Sequence, residues 1–172
     1  MKGETMIPEI KKILYATDFS EEASHAFGFA ATLAHHCKAK IVILHVIEEL
    51  SPFAMSMIEE AVGESRLMSI MKDKETQAAS AIQSRLEEFC RQTQAQYPDT
   101  PFVVEKIIVK TGHAVDQIIR HSEGDKCDLV VMGSRGQGVL ADVTMGSTSR
   151  RVLRRCSKPV MIVRIPESEQ GK

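Results

Sequence analysis

Residues 40–46 read KIVILHV, with four unbroken apolar positions from Ile41 to Leu44. Most of these side chains are β-branched, and a strand of that kind is covered on both faces. Such strands belong to parallel sheets sandwiched between helices. Similar short apolar runs recur at 12–16 (KILYA), 128–132 (DLVVM) and 159–163 (PVMIV), and 102–109 also reads as a strand. Between the runs the period changes from strand-like to helical. Ala23, Ala26, Phe27, Ala30, Leu33, Ala34 and Cys37 make a small-residue helix face, and Ser20, Glu21 and Glu22 suit a helix start. Helices are likewise expected over 76–91, 114–121 and 143–155. Strands alternating with helices imply right-handed crossovers and an α/β fold built on one parallel sheet.

The stretch from 48 to 75 breaks this rhythm. It is too long for a simple connection and holds Met55, Met57, Met68 and Met71. Two readings stand: a partly helical insertion covering the domain, or an adaptable partner-binding surface. With 172 residues and no repeat or linker, a single domain spanning 1–172 is expected, the Met-rich segment being an insertion within it.

Composition narrows the function. The formal net charge is −1 and there is no Trp, a balance that disfavours nucleic-acid binding. The charge is unevenly spread: residues 1–100 carry 10 Lys and Arg against 15 Asp and Glu, and residues 101–172 carry 12 against 8. Four cysteines (Cys37, Cys90, Cys127, Cys156) lack the short spacing of a metal framework. The opening residues lack an apolar signal region, and no apolar run approaches a membrane span. A reducing cytoplasm is the expected setting.

The most informative segment follows the fourth run: MGSRGQGVLADVTMGSTSRRV. Gly133 and Gly136 leave the strand, and Gly146 and Ser147 open the next helix. Glycine lets backbone approach a ligand, and the N–H groups of a helix start, with the Ser147 and Thr148 hydroxyls, favour an anion. No Gly-Lys-Ser/Thr follows, so this is not a Walker loop, and the first strand-to-helix turn lacks the glycines of a dinucleotide fold. Asp18 lies just past the first strand. In open parallel sheets ligands bind beyond the carboxyl ends of the strands where strand order reverses. Were the first and fourth strands neighbours, Asp18 could take ribose hydroxyls or a metal-bound water, with the glycines on phosphates. Alternatively, Asp18 closes an Asx-turn or caps the helix.

These segments together resemble the universal stress protein family in its ATP-binding branch. The resemblance rests on KILYATDFSEEASHA, IVILHVIE, CDLVVMGSRGQG, KPVMIV and an unbroken G-x2-G-x9-G-[ST] signature at Gly133, Gly136, Gly146 and Ser147. It implies a Rossmann-like domain with a five-stranded parallel sheet in the order 3-2-1-4-5. It implies a bound adenine nucleotide, ATP or another, with Mg2+. By family pattern Asp18 and Ile41 would meet the ribose and adenine ends, with Ala16 beside them. Met132 and Gly133 would line base and ribose, and Arg135, Gly136, Gly146, Ser147 and Thr148 would hold phosphates. The family also implies a homodimer paired through the last strand, bounded by Pro159 and Val163. That strand would be an apolar sheet edge with no charge on it, which itself invites pairing with a second copy.

The other polar residues have plainer readings. Arg150, Arg151, Arg154 and Arg155 suit the negative end of their helix, although one of them could face a phosphate. Adjacent His35 and His36 do not face one way, His45 reads as a core histidine, and His113 and His121 as capping or surface groups. No nucleophile set can be assembled from spacing, and phosphoryl transfer would also need a group orienting the nucleophile. The expectation is a nucleotide-dependent regulator of stress response or survival rather than an enzyme. The alternatives are a scaffold with a structural nucleotide, or a slow ATPase.

Overall fold

The computed structural model describes residues 7–49, 52–136 and 145–166. Strands β1 (Lys12–Thr17), β2 (Lys40–Ile47), β3 (Val103–Thr111), β4 (Leu129–Gly133) and β5 (Val160–Val163) form one sheet. Its order is β3-β2-β1-β4-β5 and every pairing is parallel. The helices are α1 (Glu21–Cys37), α2 (Pro52–Val62), α3 (Glu64–Gln96), α4 (Ala114–Gly124) and α5 (Ser147–Arg155).

Strand parity divides the core into two layers. Ile13, Tyr15, Ile41, Ile43, Leu129 and Val131 face α1 and α3, where they meet Ala26, Phe27, Ala30, Ala34 and Leu86. Leu14, Ala16, Val42, Leu44, Val130 and Met132 face the other way, against Val115 and Ile118 of α4 and Val152 of α5. The alanines of α1 let its axis approach the sheet, and Phe27 fills the remaining space against Phe89 and Phe102 at centroid distances of 4.9 and 5.2 Å. The Tyr15 hydroxyl, buried in that layer, donates to the Ala23 carbonyl at 2.7 Å.

One expectation is extended and one needs revision. The segment at 48–75 is helical in large part: α2 occupies its middle, and α3 begins at Glu64 and runs 33 residues, about 50 Å at 1.5 Å per residue. Met57 is exposed on α2, whereas Met55, Met68 and Met71 lie outside the described side chains. The last helix begins at Ser147, not at 143, because Gly146 has extended dihedrals (φ −64°, ψ 159°) and serves as its cap.

Candidate functional site

The carboxyl ends of β1, β2 and β4 open onto a cleft of about 470 Å³. Adjacency of β1 and β4 puts the two informative turns side by side, as a change of winding direction at that point requires. One wall is the Thr17–Ser20 turn. There Ser20 N–H donates to Asp18 Oδ1 at 3.0 Å, and Ser20 Oγ accepts from Ala23 N–H at 3.1 Å as the α1 cap. The turn reading of Asp18 holds, since one oxygen closes the Asx-turn, and the residue also lines the cleft. Phe19 between them adopts a left-handed φ of 63°, a conformation costly for a bulky side chain. Its ring is braced by His45 at 4.8 Å and by the Arg85 guanidinium at 4.1 Å.

The facing wall is the glycine-bearing turn after β4 together with the start of α5. Gly146 N–H donates to the Ser134 carbonyl at 2.8 Å, so the two glycine segments are joined directly through backbone. Residues 137–144, which connect them, lie outside the described residues. Ser149, buried one turn into α5, donates to the Gly133 carbonyl at 3.0 Å and fixes the helix start against β4. The first N–H groups of α5 have no partner within the helix. Together with Ser147 and Thr148 they line the cleft.

The glycines serve different purposes. A Cβ at Gly133 would stand 3.0 Å from Ala23 N, so the missing side chain at this position admits the backbone of α1. A Cβ at Gly136 would stand 2.6 Å from Asp18 Oδ2, so here the missing side chain lets the carboxylate and the turn approach each other.

Nine of the ten residues singled out from sequence line this one cleft: Ala16, Asp18, Met132, Gly133, Arg135, Gly136, Gly146, Ser147 and Thr148. Ile41 does not. It sits at the amino end of β2, fully buried on the face toward α1 and α3. The β2 residues at the cleft are Leu44 to Glu48 at its carboxyl end, and Val46 has the parity that Ile41 lacks. His45 also lines the cleft rather than closing a core. Its Nδ1–H donates to the Thr17 carbonyl at 2.8 Å, and burial holds its pKa below the ordinary histidine value despite that bond and the nearby Asp18 charge.

Arg135 differs from expectation in its partner. Its Nε donates to Glu22 Oε1 at 2.5 Å and its backbone N–H to Glu22 Oε2 at 2.6 Å. Arg150 instead caps the Met145 carbonyl, Arg155 pairs with Asp116, and none of the four α5 arginines lines the cleft. Glu22 was read from sequence only as a helix-start acid. Burial pushes its pKa up, but the Ser134 hydroxyl and the Arg135 donors outweigh this and hold the carboxyl below its ordinary value. Among the described residues no cluster of three or more His, Cys, Asp and Glu has the arrangement of a metal site.

A sequence model of the universal stress protein family matches residues 9–164. The chain belongs to this family. Among its universal stress protein relatives, MJ0577 of Methanocaldococcus jannaschii is 27% identical over 154 residues, covering 90% of this chain and 94% of its own. YxiE of Bacillus subtilis is likewise 27% identical over 154 residues, covering 89% and 98%. The solved structure of MJ0577 superposes with a TM-score of 0.70 at 28% identity, covering 92% of this chain and 99% of its own. A universal stress protein solved in complex with cAMP shares the fold, with a TM-score of 0.58 at 20% identity over 91% and 98% of the two chains.

Proposed function

We propose that this universal stress protein binds an adenine nucleotide, ATP with Mg2+, in the cleft between β1 and β4, and acts as a nucleotide-dependent regulator rather than a metabolic enzyme. The observation that carries this reading is the convergence of three features: the Gly146-to-Ser134 backbone bond, the α5 start, and the approach of Gly136 to Asp18. They combine a site for anionic oxygens with a carboxylate acceptor, which complement the phosphates and the hydroxyls of a nucleoside phosphate.

The donor set fits the group. Gly136, Gly146, Ser147 and Thr148 would hold phosphates, while Ala16, Val46 and Met132 supply apolar surface for base and ribose. Asp18 would take ribose hydroxyls or Mg2+-bound water. When bound, Mg2+ would neutralise phosphate charge. The chain's own part is to orient the nucleotide and screen its apolar end from water. The same fold accommodates cAMP in one relative, and an adenine nucleotide is consistent with that. A cytoplasmic homodimer paired through the β5 edge completes the reading.

Analysis of small molecules released from the purified protein tests it. Adenine nucleotide is expected in the extract, and added ATP should raise the melting temperature. Gly146→Val, whose side chain would crowd the Ser134 carbonyl 3.3 Å from the Cβ position, should lose that effect. An empty protein that ATP does not stabilise overturns the reading. An ATP hydrolysis assay, with Asp18→Ala as control, tests the regulator assignment: rapid turnover dependent on Asp18 would contradict it.

A further inference from the structure

Glu22 lies in the first turn of α1, 6% exposed, and none of the hydrogen bonds its carboxylate accepts comes from its own helix. It accepts three hydrogen bonds, all from the turn after β4. Ser134 Oγ and Arg135 N–H donate to Oε2, each at 2.6 Å, and Arg135 Nε donates to Oε1 at 2.5 Å. A carboxylate this deeply placed is costly unless its acceptor positions are used. Here both oxygens are used, and the helix start adds a favourable dipole. Gly133 makes the reach possible, since its missing Cβ brings the α1 backbone against the end of β4.

We propose that Glu22 is the positioning residue of the phosphate wall: it latches the Ser134–Gly136 turn to α1 and thereby sets where Gly136 and the α5 start meet a nucleotide. This rests on the adenine-nucleotide reading above. Ser134 is the pivot. Its hydroxyl goes to Glu22, its N–H donates to the Val163 carbonyl at 2.8 Å, and its carbonyl receives Gly146 N–H. Releasing the first of these frees the turn from α1, which also carries the Asp18 turn at its amino end. The spacing between Asp18 and Gly136 then loses its fixed reference. Ala16, Val46 and Met132 sit on the strands and do not depend on Glu22. The latch also pairs Arg135 with a buried carboxylate, so phosphate attraction rests more on oriented backbone N–H groups and hydroxyls than on a guanidinium. Glu22 thus acts on the phosphate end of the ligand and leaves the adenosine end alone.

The test compares ATP with adenosine, each measured by displacement of a fluorescent ATP analogue from the full chain. Glu22→Ala is expected to weaken ATP about tenfold or more, the scale of lost charge-assisted bonds. Adenosine affinity should stay within about twofold. Glu22→Gln, which keeps the shape but not the charge, should fall between wild type and Glu22→Ala. In nucleotide-free protein the Arg135 amide should exchange faster with solvent in Glu22→Ala, while the β4 amides keep their protection. Unchanged ATP affinity in both variants overturns the latch. So does an equal loss for ATP and adenosine, or an Arg135 amide whose exchange is unaltered. A wild-type protein that binds neither ligand overturns the nucleotide reading instead, and the amide exchange still decides whether the latch exists.

Discussion

Gly136 and Asp18 define each other's identity. The carboxylate occupies the place where any β-carbon at 136 would go, and its other oxygen is tied to the Ser20 amide at 3.0 Å, so it cannot simply rotate aside. Gly136→Ala should therefore displace Asp18 rather than unfold the chain. Nucleotide affinity is expected to fall about tenfold, roughly 1.4 kcal/mol, with little change in melting temperature. Isothermal titration with ATP beside a thermal melt reads both quantities. Most of this site was legible at the level of residue type, because glycines and hydroxyls at a helix start indicate anion chemistry wherever they occur. What residue type does not carry is direction. Ile41 and Val46 are similar side chains in one run, and only strand parity and polarity separate the core residue from the cleft residue. The partner of Arg135 was hidden for another reason. Glu22 is more than a hundred positions away, and an acid in a helix's first turn already has a sufficient local explanation.

At the scale of elements, the central strands β1, β2 and β4 were readable because burial on both faces demands apolar runs, while the edge strand β3 tolerates Glu105 and Lys106. Observed boundaries differ from the expected ones by a residue or two, as expected for ends decided by backbone hydrogen bonds. Helix starts depended on their caps. Ser20 was identifiable and does cap α1, and α5 starts where Gly146 and Ser147 mark it, past the apolar residues that extend the expected span back to 143. The long α3 was only half visible, because its amino-terminal part carries only one short apolar cluster, Leu67 to Met71, before the charged run 72–75. Ser20→Ala should cost about 1 kcal/mol of stability, the usual worth of a lost cap. Urea unfolding followed by circular dichroism should show a lower midpoint with an unchanged slope. An unchanged midpoint would mean that the Asx-turn at Asp18 suffices to start α1.

For the whole molecule, the uneven charge along the chain takes on a different meaning. Of the five arginines near the glycine segments, only Arg135 lines the cleft, and it is paired with Glu22. The α5 arginines dress the outer surface of the domain, with Arg155 reaching Asp116 of α4. The sheet leaves β5 at one edge, hydrogen-bonded in-sheet only to β4 among the described strands. Ile162→Glu should turn the proposed dimer into a monomer, read as a halved mass by light scattering on protein shown to be folded by circular dichroism. A folded variant of unchanged mass would remove β5 from the interface.

The Ser134 amide hydrogen-bonded to the Val163 carbonyl joins these scales. Val163 ends the edge strand, and Ser134 begins the turn whose Arg135 and Gly136 line the cleft. In the proposed dimer, a partner gripping that edge would pull on the turn that the proposed nucleotide would meet. Thermodynamic reciprocity then fixes the relation between the two events. If nucleotide tightens self-association by some factor, self-association must tighten nucleotide by the same factor, and protein concentration would itself set nucleotide occupancy.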